Sequence, residues 1–188
     1  MQIMAMRKTE VRRELFNLIK KEAFFKKKVV LSSGKVSNYY IDLRKITLQS
    51  KGVYLVANLL WEEIKREKFS FLGGPTLGAD PILSAIAYHS YLKGKPLKTF
   101  IVRKERKKHG QAQIIEGPSL KRNCRAIIID DVATTGTSLV EAVKKLIPLE
   151  VKIVKAWVIV DREEGAKESL SKLGVSLNSL FRLSDFLK

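Results

Sequence analysis

A chain of 188 residues with 45% hydrophobic and 29% charged residues has globular composition, which excludes a disordered or fibrous protein. Its length suits one domain with a sizeable core, and its one cysteine, Cys124, excludes an internal disulfide and fits a reducing, cytoplasmic setting. Thirty-six Lys and Arg against 19 Asp and Glu leave a net charge of +17, so polyanions should be attracted, either nucleic acid or a small substrate with several phosphates.

Residues 8–23 place Val11, Leu15, Leu18 and Ile19 at helical spacing with charges opposite, which predicts an amphipathic helix. Two short strands follow, Val29–Leu31 and Tyr39–Leu43, around a Ser-Ser-Gly turn. Thr47 is placed to cap a second helix that carries Val53, Val56, Leu59, Leu60 and Ile64. FSFLGG (69–74) reads as a strand ending in glycines, and GADPILSAIAYHSYL (78–92) as a helix with Pro81 in its first turn. LKTFIV (97–102) is another strand; RKERKKHGQAQ (103–113) behind it is too charged for a core. RAIIID (125–130) reads as a buried strand, TSLVEAVKKLI (137–147) as a helix and VKIVKAWVIVD (151–161) as a strand. A helix near 163–173 and a last short one ending in LSDFL complete the chain.

Nearly all-apolar strands alternating with helices predict an α/β fold, with a mostly parallel sheet covered on both faces. The region before about residue 47 reads as a cap on that sheet. No repeat, low-complexity tract or interdomain linker is visible, so residues 1–188 read as one domain. No signal-peptide core or membrane-length apolar run occurs, so a soluble protein is expected.

The stretch AIIIDDVATTGTSL (126–139) carries the chemistry. Two adjacent carboxylates at the end of a buried strand repel each other and cost desolvation energy, so a ligand must need them. In open α/β sheets such strand ends face the ligand crevice. Thr134, Thr135, Thr137 and Ser138 offer hydroxyls beside the amides of a helix start, and Gly136 lets a ligand come close: a phosphate cradle. Carboxylates would repel that phosphate, but they accept hydrogen bonds from sugar hydroxyls, directly or through Mg²⁺. The combination describes a phosphorylated sugar. The Mg²⁺ strand of a P-loop nucleotidase looks similar, but its G-x-x-x-x-G-K-[ST] loop is absent. A helix-capping aspartate in a Thr-rich turn would account for one carboxylate and not the other.

IIIDDVATTGTSL resembles the phosphoribosyl diphosphate (PRPP) signature of type I phosphoribosyltransferases. Four further segments resemble the orotate branch of that family: LSSGKVSNYYIDLR (31–44), GGPTLGADPI (73–82), RKERKKHGQ (103–111) and VIVDREEGA (158–166). The resemblance implies a type I phosphoribosyltransferase-like fold with a small N-terminal hood, and transfer of 5-phosphoribosyl from PRPP to orotate. It implies PRPP binding by Asp130, Asp131, Val132, Ala133, Thr134, Thr135, Gly136, Thr137 and Ser138. The charged loop adds Arg103, Lys104, Lys107 and His109, which would contact the diphosphate or assist its departure, where several cations are needed. Lys104, Lys107, His109, Asp130 and Asp131 are then the catalytic set. Arg106 and Lys108 are weaker candidates, and His89, on an apolar helix, is left out.

Orotate is a planar ring with a carboxylate, so its pocket calls for an aromatic face and a fixed cation. Adjacent Tyr39 and Tyr40 point to opposite faces of a strand, and the resemblance favours Tyr40, with Thr134 nearby. Arg162, directly after a buried strand, suits a carboxylate, although a local Asp161–Arg162 ion pair would explain it too. Ser32 and Leu77 stand where some relatives place lysines, with Lys35 close to the first. The resemblance further implies Mg²⁺ held mainly through PRPP and water, and a homodimer whose 103–111 loop reaches the neighbouring subunit's site. Two other readings stay open: a phosphoribosyltransferase for a purine or uracil, and a non-catalytic regulator of the same fold that binds nucleic acid. No nucleic-acid-binding signature supports the second.

Overall fold

The run Ala126–Ile129 has no polar face, so it is stable only in a sheet covered on both sides. The computed structural model, which describes residues 7–30, 36–105 and 113–187, gives it that place. Helix α1 (Lys8–Leu18) continues through a π-turn (Ile19–Ala23) into a hairpin of β1 (Phe24–Val30) and β2 (Val36–Ile41). The short α2 (Arg44–Thr47) and the long α3 (Ser50–Ile64) lead to β3 (Phe71–Pro75), α4 (Asp80–Leu92) and β4 (Lys98–Val102). Then come β5 (Ile115–Glu116), β6 (Arg125–Ala133), α5 (Thr137–Leu146), β7 (Lys152–Asp161), α6 (Ala166–Ser171) and β8 (Leu177–Arg182). A 3₁₀ turn over Leu183–Phe186 follows.

Six strands form one sheet in the order β5-β4-β3-β6-β7-β8, and β1 pairs only with β2. All pairings in the large sheet are parallel except β4 with β5. Alternation along β6 divides the core. Ile127 and Ile129 pack with Leu55 and Leu59 of α3 and Ile82 and Ile86 of α4; Ala126 and Ile128 pack with Leu139, Val143 and Leu146 of α5 and Leu170 of α6. Each fully buried leucine or isoleucine stabilises by about 2 kcal/mol, so the sheet is held from both faces. Phe16, Phe24, Phe181 and Phe186 stack where α1, the hairpin, β8 and the final turn meet, which fixes the N-terminal cap on the sheet.

Four expectations need correction. The hairpin strands are longer and lie earlier than Val29–Leu31 and Tyr39–Leu43: β1 starts at Phe24 and β2 ends at Ile41, while Leu43 is buried in the turn beyond. Thr47 caps nothing. It is the last residue of α2, is buried, and its hydroxyl has no partner; extended Gln49 precedes α3. The sequence reading has no strand at β5 or β8. Finally, β6 does not stop at Asp130 but runs on through Asp131 to Ala133.

Candidate active site

Parallel strands put their carboxyl ends on one side of the sheet, where β6 delivers Asp130 and Asp131. Asp130 is 7% exposed. The Asp131 N–H donates to Asp130 Oδ1 at 2.9 Å, and the Val132 N–H donates to Asp131 Oδ1 at 2.7 Å. Burial, with the neighbouring Asp131 charge second, pushes the Asp130 carboxyl well above the usual carboxylate range. Burial also raises Asp131; the Val132 N–H bond and the Arg44 charge oppose the rise. Gly78, between β3 and α4, lies against both acids: a Cβ there would come to 2.5 Å from Asp131 Oδ1 and 2.8 Å from Asp130 Oδ1. Asp80, which opens α4, adds repulsion to Asp130; one of its oxygens accepts from Thr76 Oγ1 at 2.9 Å and the other is buried with no partner. Carboxylates held in this way await donors, and hydroxyl groups of a ligand would supply them.

Beyond Ala133 the chain turns sharply into α5. Gly136 makes the turn at φ +80° with its Cα face against Ala166, where a Cβ would come within 3.0 Å of the Ala166 Cα. No side chain caps α5, so its first N–H groups are open to a ligand. Thr135 and Thr137 share a hydroxyl hydrogen bond of 2.9 Å, and Thr137 and Ser138 are exposed. Hydroxyls and open amides therefore lie together at the start of α5. The Val132 and Ala133 side chains pack against the core instead, and the Ala133 carbonyl accepts the Arg162 N–H at 2.8 Å.

That hydrogen bond brings the segment after β7 next to the turn. The Arg162 side chain is 3% exposed and pairs with Glu164 at 2.9 Å, not with Asp161. It also donates to Ser37 Oγ at 3.0 Å and reaches the Tyr39 carbonyl at 3.5 Å, tying the hairpin to the sheet. Tyr39 stacks on Phe24 within the core, whereas Tyr40 lies on the opposite face beside Phe25, with Lys27 Nζ 5.0 Å from its ring centre. This is the division that strand alternation requires. Arg44, which sequence reasoning missed, pairs with Asp42 at 2.9 Å and lies close enough to both Tyr40 and Asp131 to feel their charges. A basic residue just past an apolar strand end, as at Arg162, was the signal for it.

Arg103 and Lys104 leave the end of β4. The Arg103 guanidinium pairs with Glu116 at 3.3 Å, and its Nε is buried without a partner. Lys107 and His109 lie outside the described residues, as do Arg106 and Lys108. The structure thus brings together Asp130, Asp131, the 134–138 turn, Arg162 and the hairpin; Gly78 and Arg44 are additions. A cavity of about 640 Å³ beside β8 and α6, lined by Trp157, Asn178 and Lys167 among others, includes neither Asp130 nor Asp131 nor any part of the turn. Among the described residues, no three His, Cys, Asp or Glu side chains are grouped to hold a metal.

Comparison with known proteins bears on the same segments. The family model for the phosphoribosyl transferase domain matches residues 45–179. An orotate phosphoribosyltransferase of Aquifex aeolicus is 43% identical over 183 residues, 94% of this chain and 97% of the relative. One from Bradyrhizobium diazoefficiens is 37% identical, covering 97% of this chain and 100% of the relative. Among solved structures, Mycobacterium tuberculosis orotate phosphoribosyltransferase in complex with PRPP superposes with a TM-score of 0.77 at 33% identity, over 95% of this chain and 99% of that one.

Proposed function

The chain belongs to the phosphoribosyl transferase domain family, and on that premise we propose that it transfers the 5-phosphoribosyl group from PRPP to N1 of orotate. The products are orotidine 5′-phosphate and diphosphate, a step of pyrimidine nucleotide synthesis. The observation that carries this reading is the convergence of the buried acid pair, an open helix start and a buried arginine at the edge of an aromatic hairpin.

Asp130 and Asp131 accept hydrogen bonds from the ribose 2- and 3-hydroxyls, and the 134–138 turn holds the 5-phosphate on the amides of α5. Tyr40 offers the ring face for orotate, Thr134 lines the same edge, and Arg162 draws the orotate carboxylate. As the bond from C1 to the diphosphate oxygen breaks, positive charge builds on the ribose; the diphosphate leaves with the electron pair. N1 of orotate bonds to C1 and its proton is released. The chain positions both reactants and needs no covalent nucleophile. Arg103, Lys104, Lys107 and His109 stabilise the departing diphosphate, whose charge matches a strongly basic chain.

Carboxylate oxygens are the hard donors Mg²⁺ prefers, and Asp130 and Asp131 supply two adjacent groups of them. Asp130 and Asp131 would hold Mg²⁺ indirectly, through water and PRPP, and the ion would neutralise part of the diphosphate charge. Tyr88, Tyr91, Leu92 and Leu77 are all exposed by 62% or more, and their apolar surface suits a second copy of the chain, consistent with a homodimer that shares the 103–111 loop. No described helix is long and apolar enough to cross a membrane.

The deciding experiment follows orotate absorbance with PRPP and Mg²⁺, beside parallel assays with uracil, hypoxanthine and adenine. Consumption of orotate alone is the expected result. Turnover of another base, or of none, overturns the assignment.

A further inference from the structure

Helix α5 begins at the 134–138 turn and carries two lysines, Lys144 and Lys145, in its last turn. A lysine in the last turn of a helix ordinarily extends into solvent or toward its own helix's terminal carbonyls. Lys145 does neither. Its ammonium donates to the Arg103 carbonyl at 2.9 Å and to the Lys104 carbonyl at 2.7 Å. Those carbonyls belong to the first two residues beyond β4, 42 and 41 positions away. One turn apart along α5, Ser138, Glu141 and Lys145 line a narrow crevice with Pro75, Val102, Arg103 and Lys104.

Two carbonyls held by one ammonium fix two successive peptide planes, and with them the direction in which the Lys104 side chain leaves the backbone. The Arg103 N–H donates to the Ile114 carbonyl at 2.9 Å, which fastens the same point from the other side. Since Glu116 draws the Arg103 guanidinium to the sheet edge, Lys104 is the cation directed by this arrangement. A ten-residue helix spans about 15 Å, so α5 acts as a rigid spacer between the turn that takes the 5-phosphate and the base of the charged segment.

We propose that Lys145 is a positioning residue: it clamps the Arg103 and Lys104 carbonyls so that Lys104, at the root of the segment whose farther residues reach the neighbouring subunit, stays with its own subunit and faces the diphosphate of a PRPP molecule whose 5-phosphate is seated at the other end of the same helix. This rests on the phosphoribosyl-transfer reading above. Lys145 touches no reactant, and its effect is exerted through Lys104.

The test compares Lys145→Met, Lys145→Arg and, as a control on the same helix, Lys144→Met. Lys145→Met should lower kcat/KM for PRPP on the order of tenfold to a hundredfold, as misplaced catalytic groups do. The KM for orotate should move by less than about twofold, since ground-state binding of the base is untouched. Lys145→Arg should restore most of the loss, because a guanidinium can also donate to both carbonyls. Lys144→Met should behave like the parent. Amide hydrogen exchange in peptides covering residues 98–105 should be faster in Lys145→Met without ligand. If Lys145→Met does not fold, Lys145→Gln replaces it, with an intermediate loss expected.

Parental PRPP kinetics in Lys145→Met, equal losses for both substrates, or an arginine variant no better than the methionine one would each overturn the proposal. If the parent enzyme does not turn over orotate, the functional reading fails by itself. The exchange measurement still decides whether Lys145 clamps the segment, and an unchanged rate refutes it.

Discussion

Replacing Gly78 by alanine would drive a methyl group into both carboxylates, at 2.5 and 2.8 Å from Asp131 Oδ1 and Asp130 Oδ1. Both acids belong to β6 and each carboxylate accepts a backbone N–H, so they can move only by giving up those hydrogen bonds. We expect Gly78→Ala to fold and to lose kcat/KM for PRPP on the order of a hundredfold, as a displacement of about 1 Å does elsewhere; steady-state kinetics beside a melting curve checks both halves. Asp130→Asn should separate stability from function. In the folded protein burial raises the Asp130 carboxyl, so the native state binds its proton more readily than the unfolded chain. Stability therefore rises as pH falls from that raised value to the ordinary carboxylate range. Asparagine removes the buried charge, so the variant should be more stable by about 1–2 kcal/mol at neutral pH, with the gain fading as the pH drops through that window. Melting temperatures of both proteins across pH 4 to 9 give the answer, and turnover should fall on the order of a hundredfold or more. For Arg162→Ala, loss of a buried guanidinium should raise the KM for orotate by about tenfold to a hundredfold and that for PRPP far less; equal losses would place the carboxylate elsewhere. The buried placement of Asp130 and Arg162, and of Asp131 beside them, at the ends of β6 and β7 was legible because a charge at the end of an apolar run has few other places to go. Gly78 and Lys145 were not: one is a glycine before a helix, the other a lysine on an amphipathic face, and neither pattern separates a working residue from its neighbours.

Among the elements, the hairpin offers the sharpest contrast. Tyr39 stacks on Phe24 and packs into the core, whereas Tyr40 faces Lys27 and Phe25. Tyr39→Ala should cost about 2 kcal/mol of stability, as truncation of a partly buried ring does. Tyr40→Ala should leave the melting temperature nearly unchanged and weaken orotate instead. Denaturant titration and orotate kinetics on the pair test this, and the reverse pattern would exchange their roles. The same scale shows where sequence reading stops. Helices α1, α3, α4 and α5 and strands β3, β4, β6 and β7 follow from apolar periodicity and from proline and glycine positions. Strand β8 was hidden because Asn178 and Ser179 stand side by side in LNSLFR, which breaks both the alternation and the apolar run. A two-residue strand such as β5 has no period to read. Thr47 looked like a cap because threonine favours that position, but packing of α2 under α3 buried it instead.

Across the whole molecule the charge of +17 exceeds what one phosphorylated substrate requires. Surface ion pairs such as Lys8–Glu63 and Lys51–Glu14 sum to zero and account for none of it, and they contribute little to stability. The net field should steer polyanions, so raising ionic strength from about 0.05 to about 0.5 M should increase the KM for PRPP several-fold more than that for orotate. Initial-rate measurements in a salt series check this; parallel increases would assign the charge to another purpose. The hairpin pairs with no strand of the six-stranded sheet. On the proposed roles, the part that would select the ring is a separate piece, seated through Arg162 on Ser37 and Tyr39, while the part that would grip the sugar belongs to the sheet itself. Such a scaffold can exchange its acceptor by altering a graft at one seam, leaving the donor half untouched.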